Sequence, residues 1–322
     1  MAKISPYLNP SWPDAVWDVS GAFVNDRELV AFHDFCTQLL GFVPFSIVHG
    51  APLCAWNSGR VLKHLLRDTE EIRTAGLAYE RRNISLYLTF TNILLGKEHL
   101  SDELGNALLT FISNHNPTKK NAVILASDAL HEHIKTNFPS LRTVSSILKI
   151  TNGGGKGKID AYKRLADQYD EVMVHPDDVL NDALLEKLED KERYILLVNE
   201  YCIRHCPMRS YHYRELSKLA LNFFSYNTQE FEQKQSTNGC QDIGTLLTHE
   251  KHGVLALNTP EIAHLRELGF RHFKLQGRGH ANASGVLFDL LRLVLRNDDR
   301  DENAMHSLGQ RFWESILPHQ NS

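Results

Sequence analysis

Eight short apolar runs punctuate the chain: Val16 to Phe23, Pro44 to Val48, Ile84 to Phe90, Ala122 to Ala126, Thr143 to Leu148, Glu171 to Val174, Tyr194 to Val198 and Phe270 to Leu275. Runs of this length bounded by Gly, Pro and polar clusters read as buried strands, and a helical periodicity follows most of them. Strand–helix alternation argues for a parallel sheet, and eight units argue for its closure into a single (β/α)8 TIM-type barrel of the α/β class. An open doubly wound sheet is the competitor, but no G-x-G-x-x-G follows the first strand. The length of 322 residues suits one barrel domain spanning 1–322. A content of 42% hydrophobic and 23% charged residues predicts a globular core rather than disorder.

The flanks read differently. An irregular N-terminal arm carries Pro6, Pro10 and Pro13 and is expected to pack through Trp12 and Trp17. At the other end an apolar helix, Gly285 to Leu295, is expected to seal the barrel before a C-terminal helical extension. Among the intervening helices, one starts at Asn25 or Asp26 with Leu29, Phe32, Cys36 and Leu39 on one face, so Cys36 reads as core filling. A long charged helix is expected from Val61 to about Glu80.

A barrel gathers the loops that follow its strands on one face, where active sites form. Four of the five cysteines fall there: Cys54 after the second strand, Cys202 and Cys206 after the seventh, and Cys240 before the eighth. An odd thiol count in a chain this long argues against a disulfide framework and for a reducing cytoplasm, where clustered thiols hold metal. Four thiolates suit zinc or an iron–sulfur cluster. The spacing is not the doubled C-x2-C of structural zinc, and Pro207 directly after Cys206 resembles ferredoxin-type ligand runs. The C-x3-C-x2-C run of radical S-adenosylmethionine enzymes fails, because position 209 is Arg.

Other polar residues stand at expected strand ends. His175, Asp177, Glu200 and Lys274 are the candidates for proton transfer, since a His beside a carboxylate supports acid–base chemistry. Lys274, set in an apolar strand, is expected to point into the barrel and pair with Glu200. Asn199, Arg209, His212, Arg278, Lys156 and Lys158 are candidates for holding an anionic substrate. The last two lie in Thr151-Asn152-Gly153-Gly154-Gly155-Lys156-Gly157-Lys158, a Gly-rich stretch able to cradle an anion through backbone N–H groups, or equally to serve as a plain mobile connection. It lacks the P-loop spacing, and neither a Ser-His-Asp arrangement nor H-E-x-x-H is visible.

These motifs resemble the collagenase-like peptidase family in its broad sense, including UbiU/UbiV-like proteins of oxygen-independent hydroxylation. The resemblance rests on Gly50-x3-Cys54-x5-Arg60, Cys202-x3-Cys206 and Phe273-Lys274-Leu275-Gln276-Gly277-Arg278, the last similar to F-K-[IL]-E-G-R, with Gln276 where the family often has Glu. It implies a single barrel with a [4Fe–4S] cluster on Cys54, Cys202, Cys206 and Cys240. It also implies redox or hydroxylation chemistry on an anionic small molecule or an RNA or cofactor precursor. The alternatives are a zinc-dependent or metal-free peptidase-like hydrolase, and a non-catalytic scaffold with a protein partner in a biosynthetic complex.

Charge and hydropathy exclude other classes. A net charge of −4 gives no general attraction to nucleic acid. No apolar run of about 18 residues occurs, so no membrane span is expected. The start, Met-Ala-Lys-Ile-Ser-Pro, lacks the apolar core of a signal peptide, in keeping with a cytoplasmic protein.

Overall fold

The computed structural model describes residues 8, 9, 12, 14–58, 68–115, 121–235, 253–277, 284–295, 307–312 and 314. Its strands in chain order are β1 (Val16–Ser20), β2 (Ile47–Gly50), β3 (Ser85–Phe90), β4 (Ala122–Leu125), β5 (Arg142–Ser145), β6 (Glu171–Met173), β7 (Tyr194–Leu197), β8 (Asn199–Ile203), β9 (Val254–Ala256) and β10 (His272–Leu275). Eight of them close into a parallel barrel in the order β1-β10-β7-β6-β5-β4-β3-β2. The remaining two, β8 and β9, form a separate antiparallel ribbon. All eight expected strands are present, and their outward-facing positions are mostly apolar because helices cover the outer face.

The helices are α1 (Asp26–Phe35), α2 (Thr69–Arg81), α3 (Glu103–Asn114), α4 (Asp128–Asn137), α5 (Ile147–Asn152), α6 (Ile159–Gln168), α7 (Asp182–Leu185), α8 (Arg209–Leu221) and α9 (Thr228–Gln235), followed by Thr259–Glu267 and Ser284–Val294. Capping sets several boundaries. The Asp68 carboxylate accepts the Glu71 N–H while Glu71 reaches back to the Asp68 N–H, so α2 begins at Thr69 rather than at Val61; positions 61–67 lie outside the described residues. Ser146 accepts the Leu148 N–H and starts α5, which ends β5 earlier than the apolar Ile147-Leu148 suggests. Gly21, at φ +101°, turns the chain out of β1 before Phe23. Cys36 opens a five-residue π-turn, Cys36–Leu40, and is fully buried as core filling.

The N-terminal arm docks on the last long helix. Trp12 Nε1 donates to Leu293 O at 2.7 Å, and Asn9 N–H to Val294 O at 2.8 Å. Trp17 packs on Phe273 with ring centroids 5.5 Å apart.

Residues directly paired across a parallel ladder project to the same face. Asp18 pairs with both Lys274 and Ile47, Val16 with His272, and Ser20 with His49. His49 pairs with Tyr87, Ala122 with both Tyr87 and Arg142, and Val144 with Glu171. Tyr87 on β3 donates across the barrel to Glu171 on β6, so this shared face is the interior. Barrel interiors are dominated by branched aliphatic residues, whereas this one interleaves them with ionisable side chains from six of its strands.

Candidate functional site at the barrel mouth

The segment after β6 forms the first wall of the site. Pro176 starts a single 3-10 turn, Pro176–Asp178, and His175 caps it, its Nδ1 accepting the Asp177 N–H at 3.1 Å. That bond assigns the ring proton to Nε2. Nε2 is buried and has no hydrogen-bond partner among the described residues. Burial, reinforced by the Arg209 charge, keeps the imidazole neutral, with its pKa down to about 3. His175 therefore presents a buried N–H donor.

Asp177 holds the wall together. Its carboxylate accepts the His205 N–H at 2.9 Å and the Lys156 ammonium at 3.1 Å, with the Arg209 guanidinium at 3.6 Å. Burial opposes its charge, but these partners hold it below the usual carboxylate range. Asp178 accepts the Gly157 N–H at 3.0 Å to each oxygen and the Tyr162 hydroxyl at 2.7 Å. Tyr162 in turn accepts the His175 N–H at 3.0 Å. Within the Gly-rich stretch the Gly157 N–H is therefore taken by the protein's own Asp178. Gly157 sits at φ +70°, a conformation glycine adopts freely, and Lys158 is an exposed residue before α6.

Strand β8 supplies the opposite wall. The Tyr194 run does not empty into a loop after Val198 but continues as this strand, which carries Asn199, Glu200 and Cys202. Asn199 uses both ends of its amide to pin the end of β10: Nδ2 donates to Gln276 O at 3.0 Å, and Oδ1 accepts the Gln276 N–H at 2.7 Å. Glu200 Oε1 accepts from Arg209 Nη1 at 2.5 Å, while Oε2 is buried without a hydrogen-bond partner among the described residues. Burial raises the Glu200 pKa despite the Arg209 charge. The two walls meet at Arg209, the first residue of α8, which is itself buried and contacts both carboxylates.

Cys202 and Cys206 lie on either side of a tight turn in which His205 adopts φ +56°. Their thiols interact with each other, and burial pushes Cys202 up to about 12. Cys54 belongs instead to the hydrophobic core, where burial and the Asp102 charge raise its thiol pKa strongly. Among the described residues no three His, Cys, Asp or Glu side chains come together to hold a metal ion. Cys54 is therefore not gathered with Cys202 and Cys206, contrary to the expected convergence. The described residues supply one thiol pair, which does not by itself fit a [4Fe–4S] cluster or a four-thiolate zinc. Cys240, Arg278 and Arg60 lie outside the described residues.

Lys274 does point into the barrel, but its partner is Asp18, at 3.1 Å, not Glu200. Glu200 lies on the ribbon outside the barrel wall, and Arg209 takes its charge. Asp18 is wholly buried and also accepts from His49 Nδ1 at 2.6 Å, with His272 Nε2 3.8 Å away. Burial disfavours its charge, yet His49, Lys274 and His272 hold it well below the usual range. His272 Nδ1 is 3.6 Å from Glu171, which also meets Arg142 at 3.3 Å and the Tyr87 hydroxyl at 2.9 Å. Burial works against the His272 cation, but the two carboxylates outweigh it and raise its pKa. Sequence reasoning missed Asp18, His49, Tyr87, Glu171 and His272. The available signal was the one that exposed Lys274, an ionisable residue set within a short buried strand. His212 is half-buried on α8.

Parallel barrel, ion-paired mouth and thiol pair define a barrel protein with a cluster of buried ionisable groups at the C-terminal ends of its strands. No family model matches the chain. No curated protein matches it in sequence. Among solved structures it is similar to the U32 peptidase Mk0906, with a TM-score of 0.53 and 13% identity over 83% of this chain and 94% of that one. At this identity the likeness is one of fold alone. Among the described residues no helix is long and apolar enough to cross a membrane.

Proposed function

We propose that the mouth is the active site of a peptidase-like hydrolase acting on an amide of a small anionic or peptide-like substrate. One observation carries the reading: two buried atoms of opposite polarity without a hydrogen-bond partner among the described residues, His175 Nε2 and Glu200 Oε2, belong to a single cluster joined through Asp177 and Arg209. A buried polar atom left without a partner costs about 1–3 kcal/mol, so both are best explained as groups that substrate engages. His175, neutral, donates from Nε2 to the substrate carbonyl oxygen as negative charge develops there. Glu200 Oε2 takes a proton from water as the water oxygen bonds to the carbonyl carbon, then returns it to the departing amine nitrogen. Arg209 keeps Glu200 oriented, and Lys156, on the exposed edge, favours an anionic substrate. The similar solved structure is that of a peptidase, which agrees with this chemistry. Unpaired thiols at Cys36, Cys54, Cys202 and Cys206 fit a reducing cytoplasm.

The test is a panel of short peptides and N-acyl amino acids, with Glu200→Gln alongside the wild type. Wild-type hydrolysis that falls by about 10²- to 10⁴-fold in Glu200→Gln is expected, the usual worth of a general base. Equal activity in the two, or no cleavage by the wild type, refutes the proposal.

The position of Cys202 and Cys206 on either side of one tight turn favours a second reading, in which they supply two ligands of an iron–sulfur site and Cys240 a third. Iron and sulfide content after anaerobic purification decides it. Loss of both in Cys202→Ser or Cys206→Ser is the expected result, and their absence from the wild type excludes the cluster.

A further inference from the structure

The mouth cluster leaves the upper interior of the barrel without a role. Ser20 ends β1, and Thr89 is the penultimate residue of β3. By register Ser20 shares the interior face with His49, and Thr89 lies two residues beyond Tyr87 on the same face. Ser20 is 1% and Thr89 5% exposed, yet Ser20 Oγ and Thr89 Oγ1 have no hydrogen-bond partner among the described residues. Alternate strands contribute the side chains of one interior layer, so β1 and β3 set these hydroxyls at a common level.

Below that level the charges of the described residues are paired but unequal. Lys274, His272 and Arg142 face the two carboxylates Asp18 and Glu171, with His272 held toward its cation by both. Two hydroxyls free to donate, over a positively charged floor, make a receptor for a small anion. Asp18 does not repel such a guest strongly, because Lys274 and His49 already bind its two oxygens.

We propose that the upper barrel interior is a carboxylate-binding subsite in which Ser20 and Thr89 donate their hydroxyl protons to the anion above Lys274 and His49. It deepens the proposed function, since an anchored carboxylate on the β1–β3 side would set the substrate's amide toward the β6–β8 side that carries His175 and Glu200.

The probe is sodium acetate at neutral pH, followed through the imidazole 15N resonances of His49 and His272 and through thermal unfolding. Wild-type protein should show saturable shifts of both rings. Ser20→Ala/Thr89→Ala should unfold at an equal or higher temperature, because it removes two unsatisfied buried hydroxyls, while binding acetate at least tenfold more weakly. Glu200→Gln should bind acetate as the wild type does, so the subsite stands or falls apart from the hydrolytic reading. Absence of acetate-dependent shifts in the wild type overturns the proposal. So does wild-type affinity in the double variant, which would mean the hydroxyls hold only water. A double variant less stable than the wild type also overturns it, since the hydroxyls would then have had partners within the fold.

Discussion

Replacing Asp18 with Asn tests the ion-paired interior directly. The substitution keeps shape but removes the carboxylate that binds Lys274 at 3.1 Å and His49 at 2.6 Å and that faces His272. Breaking a buried pair by deleting one partner costs about 3–5 kcal/mol, because the surviving charge stays buried. Unfolding entropy of about 2.1 cal/mol/K per residue amounts to about 0.7 kcal/mol/K for a chain of this length, so Tm should fall by about 4–7 °C. The pH dependence sharpens the test. Asp18 has a folded pKa below its unfolded value, so its contribution is complete above about pH 4–5 and is lost as pH falls through the folded value. His272 has a folded pKa above its unfolded value, so its contribution is complete below about pH 6.5 and is lost as pH rises through the folded value. The difference between wild type and variant should therefore be widest near pH 5–6.5 and close in strong acid. Differential scanning calorimetry across pH measures it, and Asp18→Asn/Lys274→Met should recover part of the loss by removing the stranded ammonium. A Tm change under about 1 °C at pH 6, or an equal change at pH 3, would contradict the paired arrangement.

Two further outcomes follow from the mouth. Tyr162→Phe strips a hydroxyl that donates to Asp178 and accepts from the His175 N–H, both buried; a loss of about 1–3 kcal/mol is expected by urea unfolding, and a loss below about 0.5 kcal/mol would place those groups in water. In a Cys240→Ser background, native maleimide labelling mapped by mass spectrometry should modify the half-buried Cys202 and Cys206 and spare Cys36 and Cys54 until the protein unfolds; early labelling of Cys54 would show that it faces the mouth after all.

Much of the barrel was legible because each strand is a local pattern. Tyr194 to Val198 and Ala122 to Ala126 are apolar on both faces, which only a strand covered by helices tolerates. Boundaries were less legible where a cap competes with hydropathy. Ile147 and Leu148 read as strand until the Ser146 hydroxyl is seen to accept a helical N–H. The site divides in the same way. His175, Asp177, Glu200 and Arg209 could be named from position because they follow strands, and the structure does bring them together.

Partnership was another matter. A lysine in an apolar strand announces that some carboxylate must meet it, but not which one. Asp18 lies 256 residues away in sequence and becomes its neighbour only when β10 closes the barrel against β1. Likewise, Cys54 and Cys202 both follow strands, yet one packs into the core and the other stands on a ribbon beyond the barrel wall. Sequence by itself determined periodicity, and with it the eight strands, their parallel order and the rim that carries polar residues. Closure, register and burial decided which charges pair, which thiols meet, and which hydroxyls and ring nitrogens are left without partners. Those are differences of a few ångströms between segments far apart in the chain, and only tertiary packing sets distances of that kind.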